Sequence, residues 1–368
     1  MLCFVLAAAL SAHSSQERPP LQFRSDVRMI RLDVSVVDRK GAPVSGLGAE
    51  RFRVSEDGRP VAIQLFEAFA DEARADDVGI TVEAFDPRTT PPRRRTLILV
   101  ETRVTPLQAR RAQHGALRFL REGTGPGDWV RIVDIGAGTT WEGFVPQDRA
   151  RLEAAVRSLR PQLSPFACPG CALEPIEDSV ERAGTAFQEV ETTGRFLSRF
   201  AASIDLLGAM EALLVQLGGV SGRKALVLVS PGFPQSRDLE ERLQRTSSLA
   251  RESSTAIYFV DVAGLDGLTP GVGPGDPGRL RPAFETAWAR SGGAQDLAEA
   301  TGGFTYRFSN ALFPALRRVA DELRTYYVVG YVPTRPDDGR FRRVRVEVDV
   351  PGASARTKIG YVAGNGRP

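Results

Sequence analysis

Glu101, Arg103 and Thr105 are the residues whose types and spacing most suggest chemistry. They stand in the run Glu101-Thr102-Arg103-Val104-Thr105, directly after the uncharged Thr96-Leu97-Ile98-Leu99-Val100. A carboxylate, a guanidinium and a hydroxyl at alternate positions of one short loop allow three arrangements. The carboxylate and hydroxyl can offer oxygens to a hard cation. The guanidinium can clamp the carboxylate bidentately, or it can reach outward to a carboxylate on another molecule. Ser230 and Asp261 end or nearly end two further apolar runs, and Ser203 lies in a long apolar helical pattern. Asp134, Glu101 and Asp261 together suggest an alternative cation or acid/base site. The simpler reading is that each carboxylate bonds the backbone of its own loop.

Other constellations carry less. Cys168-Pro169-Gly170-Cys171 has redox spacing but falls in an irregular insertion rather than at a helix start after a strand, so a local Cys168–Cys171 disulfide is expected. His13 and His114 are the two histidines, and a zinc site or a Ser-His-Asp triad would rest on His114 alone, which reads as a helix-surface residue. Gly136-Ala137-Gly138 lacks the third glycine of a dinucleotide loop, and no P-loop lysine follows a strand. No catalytic residue, cofactor or metal ligand is therefore assigned. Lys and Arg total 48 against 45 Asp and Glu, net +3, and the basic residues are scattered rather than striped. Nothing there is the footprint of a nucleic-acid binder. Arg93-Arg94-Arg95 reads as a solvated strand entrance.

Several elements must position these residues. Thr96 to Val100 is short, continuous and apolar, the pattern of a strand buried on both faces at the centre of a parallel sheet. Ligands of open α/β sheets sit beyond the carboxyl ends of such strands, which makes Glu101 to Thr105 the first candidate site, joined by Ser230 to Phe233 and Asp261 to Gly264. Helical patterns over Leu107 to Glu122, Leu152 to Leu159 (capped by Asp148), Thr193 to Leu217, Leu239 to Glu252, Asp296 to Ala300 and Leu312 to Leu323 separate the strands Trp129 to Ile135, Ala225 to Val229, Ala256 to Val262 and Phe304 to Phe308. Thr139 to Val145 hairpins back along the sheet edge, and Gly264 to Pro282 is expected to be an irregular loop. Alternating βαβ units give a three-layer α/β/α, Rossmann-like domain.

The flanks differ. Val27 to Val37 alternates, Glu56-Asp57-Gly58 is a turn before the strand Val61 to Phe66, and Tyr326 to Val332, Val344 to Val348 and Thr357 to Val362 are strands with no helix between them. Neither flank has enough strands for a sandwich, but together they supply about seven. The organisation expected is a signal peptide over residues 1–15 (apolar Leu2 to Leu10, then Ala9-Leu10-Ser11), the N-terminal part of a β-sandwich over 21–90, the α/β domain over 93–323, and the C-terminal part of the sandwich over 324–365. An acidic, then Pro- and Thr-rich linker occupies Asp71 to Pro92. No later run reaches about 18 apolar residues, so no transmembrane anchor is expected.

Asp38-Arg39-Lys40-Gly41 with Glu56-Asp57-Gly58, then Gly222-Arg223-Lys224-Ala225-Leu226-Val227, then Tyr326-Tyr327-Val328-Val329-Gly330-Tyr331 with Asp338-Gly339-Arg340-Phe341 and Arg342 to Val346, resemble the von Willebrand factor type A (VWFA)-related proteins of the Acidobacteria type. The resemblance covers nearly the whole mature chain. It implies an exported protein with a type A fold and no known catalytic activity, since such domains usually bind other proteins through a magnesium at the strand ends. Where the family has Asp-x-Ser-x-Ser, this chain has Glu101 to Thr105, with Arg103 in place of the first hydroxyl. Pro231 before Gly232 replaces the second metal carboxylate, and Ser203 is the candidate for the expected threonine. The expected function is an exported, non-enzymatic module mediating protein–protein interaction, without a functional metal-ion-dependent adhesion site. Its partner crevice would comprise Glu101, Arg103, Thr105, Ser203, Ser230 and Asp261. A metal-assisted hydrolase using the strand-end carboxylates, or a structural scaffold with a decayed site, are the alternatives.

Overall fold

Uninterrupted apolar strands can be buried on both faces only if helices cover both sides, and this decides the centre of the molecule. The computed structural model describes residues 29–70, 94–162, 184–220, 222–267 and 277–364. Six strands form the central sheet: β5 (Arg94–Val100), β6 (Asp128–Asp134), β7 (Thr139–Val145), β8 (Lys224–Ser230), β9 (Thr255–Asp261) and β10 (Thr305–Tyr306), in the order β10-β9-β8-β5-β6-β7. All neighbours are parallel except β7, which returns antiparallel along β6 at the edge. Side chains alternate across the sheet. Ile98, Val100, Val227 and Tyr258 pack with α1 (Pro106–Arg118), α2 (Arg149–Ser158) and α6 (Phe313–Arg324). Leu97, Leu99, Leu226 and Phe259 pack on the other face with α3 (Gly184–Leu217), α4 (Arg237–Glu252) and α5 (Pro277–Thr301).

Two further sheets have four strands each. One has the order β13-β1-β11-β4 and the other β14-β12-β2-β3, where β1 is Ile30–Val37, β2 Phe52–Glu56, β3 Arg59–Val61, β4 Leu65–Ala70, β11 Thr325–Tyr331, β12 Phe341–Val348, β13 Ser354–Arg356 and β14 Gly360–Val362. Strands from before and after the α/β segment thus alternate in the first sheet and meet at the β12–β2 pair in the second. They close one core of Leu32, Val34, Phe52, Tyr327, Tyr331 and Val346. The turn between β2 and β3 is Asp57-Gly58 with φ of +46° and +78°, the two left-handed positions a two-residue hairpin needs. Glu56, 4% exposed, survives burial because the hydroxyls of Tyr331 and Tyr361 both donate to its Oε2 at 2.8 Å. The chain leaves this unit at Ala70 and re-enters it at Thr325, and these two residues are register partners.

Several expectations need correction, among them the single strand over Val61 to Phe66, which is the end of β3 and the start of β4 in different sheets. Arg94 is no solvated entrance: it is 8% exposed, opposite Asp128 in the register, and bonds it bidentately at 2.6 and 2.7 Å, since neighbouring strand starts close over it. Asp148 stands at the N-cap of α2, but its carboxylate makes no capping bond and accepts instead from the Phe144 N–H at 2.9 Å. The helix expected over Asp296 to Ala300 is the end of α5, which begins at Pro277 inside the segment expected to be loop. Phe200–Leu217, with mean hydropathy 1.5, is long and apolar enough by length and composition to cross a membrane. Its Leu206, Leu207, Met210, Leu213 and Leu214 are buried against the sheet, the packing of a core helix. The signal-peptide reading, the linker over Asp71 to Pro92, and Cys168 and Cys171 lie outside the described residues.

Candidate functional site: the strand-end loop at Glu101 to Thr105

The loop is fixed at both ends by backbone. Glu101 N–H donates to the Val229 carbonyl at 3.0 Å, so the residue after β5 is still tied to β8, and the Thr102 carbonyl accepts from Gln162 N–H at 2.7 Å. Thr105 then starts α1. Its hydroxyl accepts from Gln108 N–H at 3.3 Å, and the Gln108 side chain accepts from Thr105 N–H at 3.2 Å, a reciprocal capping box followed by Pro106 at the first helical position. These constraints turn Glu101 and Thr102 inward, 6% and 1% exposed.

Arg103 folds back over Glu101. Its Nε donates to Oε1 at 3.0 Å and its Nη2 to Oε2 at 2.9 Å, a bidentate clamp, while its own N–H donates to Oε1 at 2.9 Å. The remaining Nη1 donates to Asp205 Oδ2 at 3.0 Å on α3, and Nη2 also reaches the Ala202 carbonyl at 3.4 Å. The hydrogen bond to Glu101 pushes the Arg103 pKa up; burial opposes this and the Asp205 charge adds to it. Asp205 is 66% exposed and Arg103 23%, so the outer half of the network faces water while the Glu101 half, 7% exposed, does not.

The other strand-end groups are engaged nearby but separately. Asp134 Oδ1 accepts from the Thr102 hydroxyl at 2.5 Å and from Ala137 N–H at 3.0 Å. Gly136 allows that approach, since a Cβ there would stand 2.3 Å from Thr102 Oγ1. Asp261 Oδ1 accepts from Ala263 N–H at 2.9 Å, and its Oδ2 pairs with Arg290 of α5 at 3.4 Å. Burial pushes the Asp261 pKa up, with Arg290 pulling against it. Ser230 is opposite Asp261 in the register, and its Oγ accepts from Gly232 N–H at 3.0 Å. Ser203 is buried on α3 at 4% exposure, next to Ala202. His114 is exposed on α1.

The structure therefore brings Glu101 and Arg103 together and adds Asp205, which sequence reasoning missed. Thr105 and Ser230 spend their hydroxyls on helix cap and turn. Nothing in the spacing of α3 marks Asp205, a single carboxylate between Ile204 and Leu206; only the docking of α3 on the sheet carries it to Arg103. A hard divalent cation requires oxygen ligands with free lone pairs. Both Glu101 oxygens are held by a guanidinium and the Thr105 hydroxyl faces its helix, so these residues do not fit a magnesium ion. Among the described residues, no group of three or more His, Cys, Asp or Glu is arranged to hold a metal.

Comparison with known proteins leaves this geometry largely to speak for itself. No protein-family model matches the chain. No curated protein matches it. Among solved structures, the crystal structure of the human COPII-coat protein Sec24c is similar at 9% identity and a TM-score of 0.33, over 76% of this chain and 45% of that one. The chain thus spans less than half the length of that protein. The fold stands as mixed α/β with three sheets.

Proposed function

We infer that the chain is an exported, non-enzymatic binding module of the VWFA-related kind, in which a type A α/β domain is inserted in a β-sandwich made by the N- and C-terminal strands. It engages a protein partner at the strand-end crevice, and Arg103 takes over part of the role a metal has in that family. One observation carries the reading: a guanidinium occupies the position where the resemblance expects a metal-binding hydroxyl, and it clamps the loop's own carboxylate. A cation in such a crevice neutralises a carboxylate and leaves a place for an acidic group of the partner. Arg103 does the first through Glu101, and its Nη1, held only by the exposed Asp205, supplies the second by exchanging one carboxylate for another. Glu101, Asp134 and Asp261 each accept from backbone or side-chain donors of their surroundings, which supports binding over hydrolysis.

Magnesium and manganese titration calorimetry on the chain tests the absence of a metal. No saturable heat is expected up to low-millimolar cation, and saturation there overturns the reading. Crosslinking capture from the envelope fraction of the source cell tests the rest. One reproducible protein should be retained by the natural chain and lost with Arg103→Ser; retention by both makes the arginine irrelevant to binding.

A further inference from the structure

Helices α4 and α5 each return from the carboxyl end of one parallel strand to the start of the next, so they run side by side in the same direction along one face of the sheet. They are drawn together where Gly293 N–H donates to the Phe233 carbonyl at 3.1 Å, an approach that glycine permits because an added Cβ would lie 2.7 Å from the Phe233 ring. Beyond that point a groove opens between the helices. It is a cavity of about 460 Å³ whose lining includes Arg237, Glu240, Leu243, Asp296, Leu297 and Ala300. That volume falls in the range of about 300–1,000 Å³ common for small-molecule sites. Leu243 and Leu297, 9% and 2% exposed, belong to the core and give the groove an apolar floor.

The chain does not pair the charges of this groove. Arg237 and Glu240 stand on α4 and Asp296 on α5, yet Arg237 and Asp296 form no ion pair with each other or with another described residue. Partial burial pushes the Asp296 pKa up and the Glu299 charge adds to it, the reverse of what a neighbouring cation does. Glu240 accepts on Oε1 from Gln244 at 3.4 Å and keeps Oε2 for another donor. A molecule carrying both signs of charge answers all three residues: its carboxylate accepts from the Arg237 guanidinium while its ammonium donates to Asp296 and Glu240. Other ligand classes fit less well. No aromatic ring lines the groove for a base or sugar to stack on, and one arginine is too few for a polyphosphate. We propose that the α4–α5 groove binds a small zwitterion with an apolar side chain, a free α-amino acid or short peptide of the leucine kind, held between Arg237 and Asp296 with its side chain on Leu243 and Leu297. The proposal is independent of the reading given to the loop at Arg103.

The test is calorimetry on the full chain with L-leucine and L-leucyl-L-leucine. Glycine, N-acetyl-L-leucine and L-leucinamide serve as probes that lack the side chain, the ammonium and the carboxylate in turn. Leucine or its dipeptide should bind saturably at micromolar to low-millimolar concentration, and the tighter of the two gives the length the groove takes. Each deficient probe should bind at least about threefold more weakly, the scale of one contact in a groove open to water. Asp296→Asn and Arg237→Gln, both at exposed positions, should each weaken binding by about three- to tenfold; circular dichroism establishes that both fold. Three results overturn the proposal: no saturable binding of leucine or leucyl-leucine at low-millimolar concentration, a deficient probe binding as tightly as leucine, or unchanged affinity in either variant. The probe series uses the natural chain, so it decides the matter even where a variant fails to fold.

Discussion

Arg103 and Glu101 show how one substitution changes what a loop can do. A guanidinium two residues after a buried carboxylate folds back on it, because a carboxylate withdrawn from water to 7% exposure needs donors in place of its lost hydration. Replacing Arg103 by Gln should leave Glu101 under-satisfied and cost about 1–3 kcal/mol in urea denaturation at pH 7. A loss below about 0.5 kcal/mol would show that water replaces the clamp. Lys224 offers a pH prediction. It is 1% exposed, its ammonium donates to the Val220 and Gly222 carbonyls at 2.5 and 2.8 Å, and burial pushes its pKa down to about 8, with Asp33 opposing and Arg95 reinforcing. The folded pKa lies below the unfolded value of 10.5, so between pH 8 and 10.5 the unfolded chain binds more protons, and this residue's contribution to stability rises with pH. The expected gain is on the order of 1 kcal/mol from pH 8 to 10, discounted for the two carbonyl bonds that favour the charged form. It should vanish in Lys224→Met when the two denaturation series are compared; parallel series would mean the amine titrates normally.

At the scale of elements, close approach decides which positions tolerate change. Gly303 follows α5 and passes beside β9, where an added Cβ would lie 1.8 Å from the Ile257 carbonyl oxygen. Backbone cannot yield as a flexible side chain can. Gly303→Ala should therefore destabilise by at least about 2–3 kcal/mol, whereas Gly219→Ala, with no atom within 4 Å of its Cβ, should change stability by less than about 1 kcal/mol. Thermal melts of both variants check this contrast, and equal melting points would refute it. The helix faces were legible beforehand because Ala109, Ala112 and Ala116, or Leu316, Val319, Ala320 and Leu323, recur at three and four. The length of α5 was not, because the Gly and Pro content at its start reads as loop, while the contacts seen for this helix, Ala294, Leu297 and Ala298 in the core with β9 and α4, are tertiary.

For the whole molecule, a buried carboxylate marks where the two units meet. Glu322 of α6 is fully buried; it accepts from Arg318 and Arg356, and from Ser35 and Tyr258 at 3.3 Å, so residues from both units converge on one side chain. Removing one partner from a buried pair costs about 3–5 kcal/mol. Glu322→Gln should lose stability of that order and split a single unfolding transition into two, seen by calorimetry; a single, unshifted transition would show that the junction does not couple the units. The interleaving of strands makes a second claim. Because β1 pairs with β11 and β13, and β2 with β12, a fragment of residues 21–90 lacks its partners and should show no cooperative unfolding.

The sequence by itself determined most of the elements. Continuous apolar runs set the doubly buried strands, alternation set the flanking strands, and the polar break at Glu101 marked the end of the central one, since these patterns follow from local periodicity. It also narrowed the chemistry at the loop to a cation, a bidentate clamp or an outward-reaching arginine. Tertiary structure decided among them. Whether Arg103 turns inward depends on the Val229 carbonyl fixing the Glu101 backbone and on α3 presenting Ala202 and Asp205, groups about a hundred residues away along the chain. The same holds for Arg94 with Asp128. A charged residue in a sequence announces its charge, but its burial and its partners exist only once distant segments have packed around it.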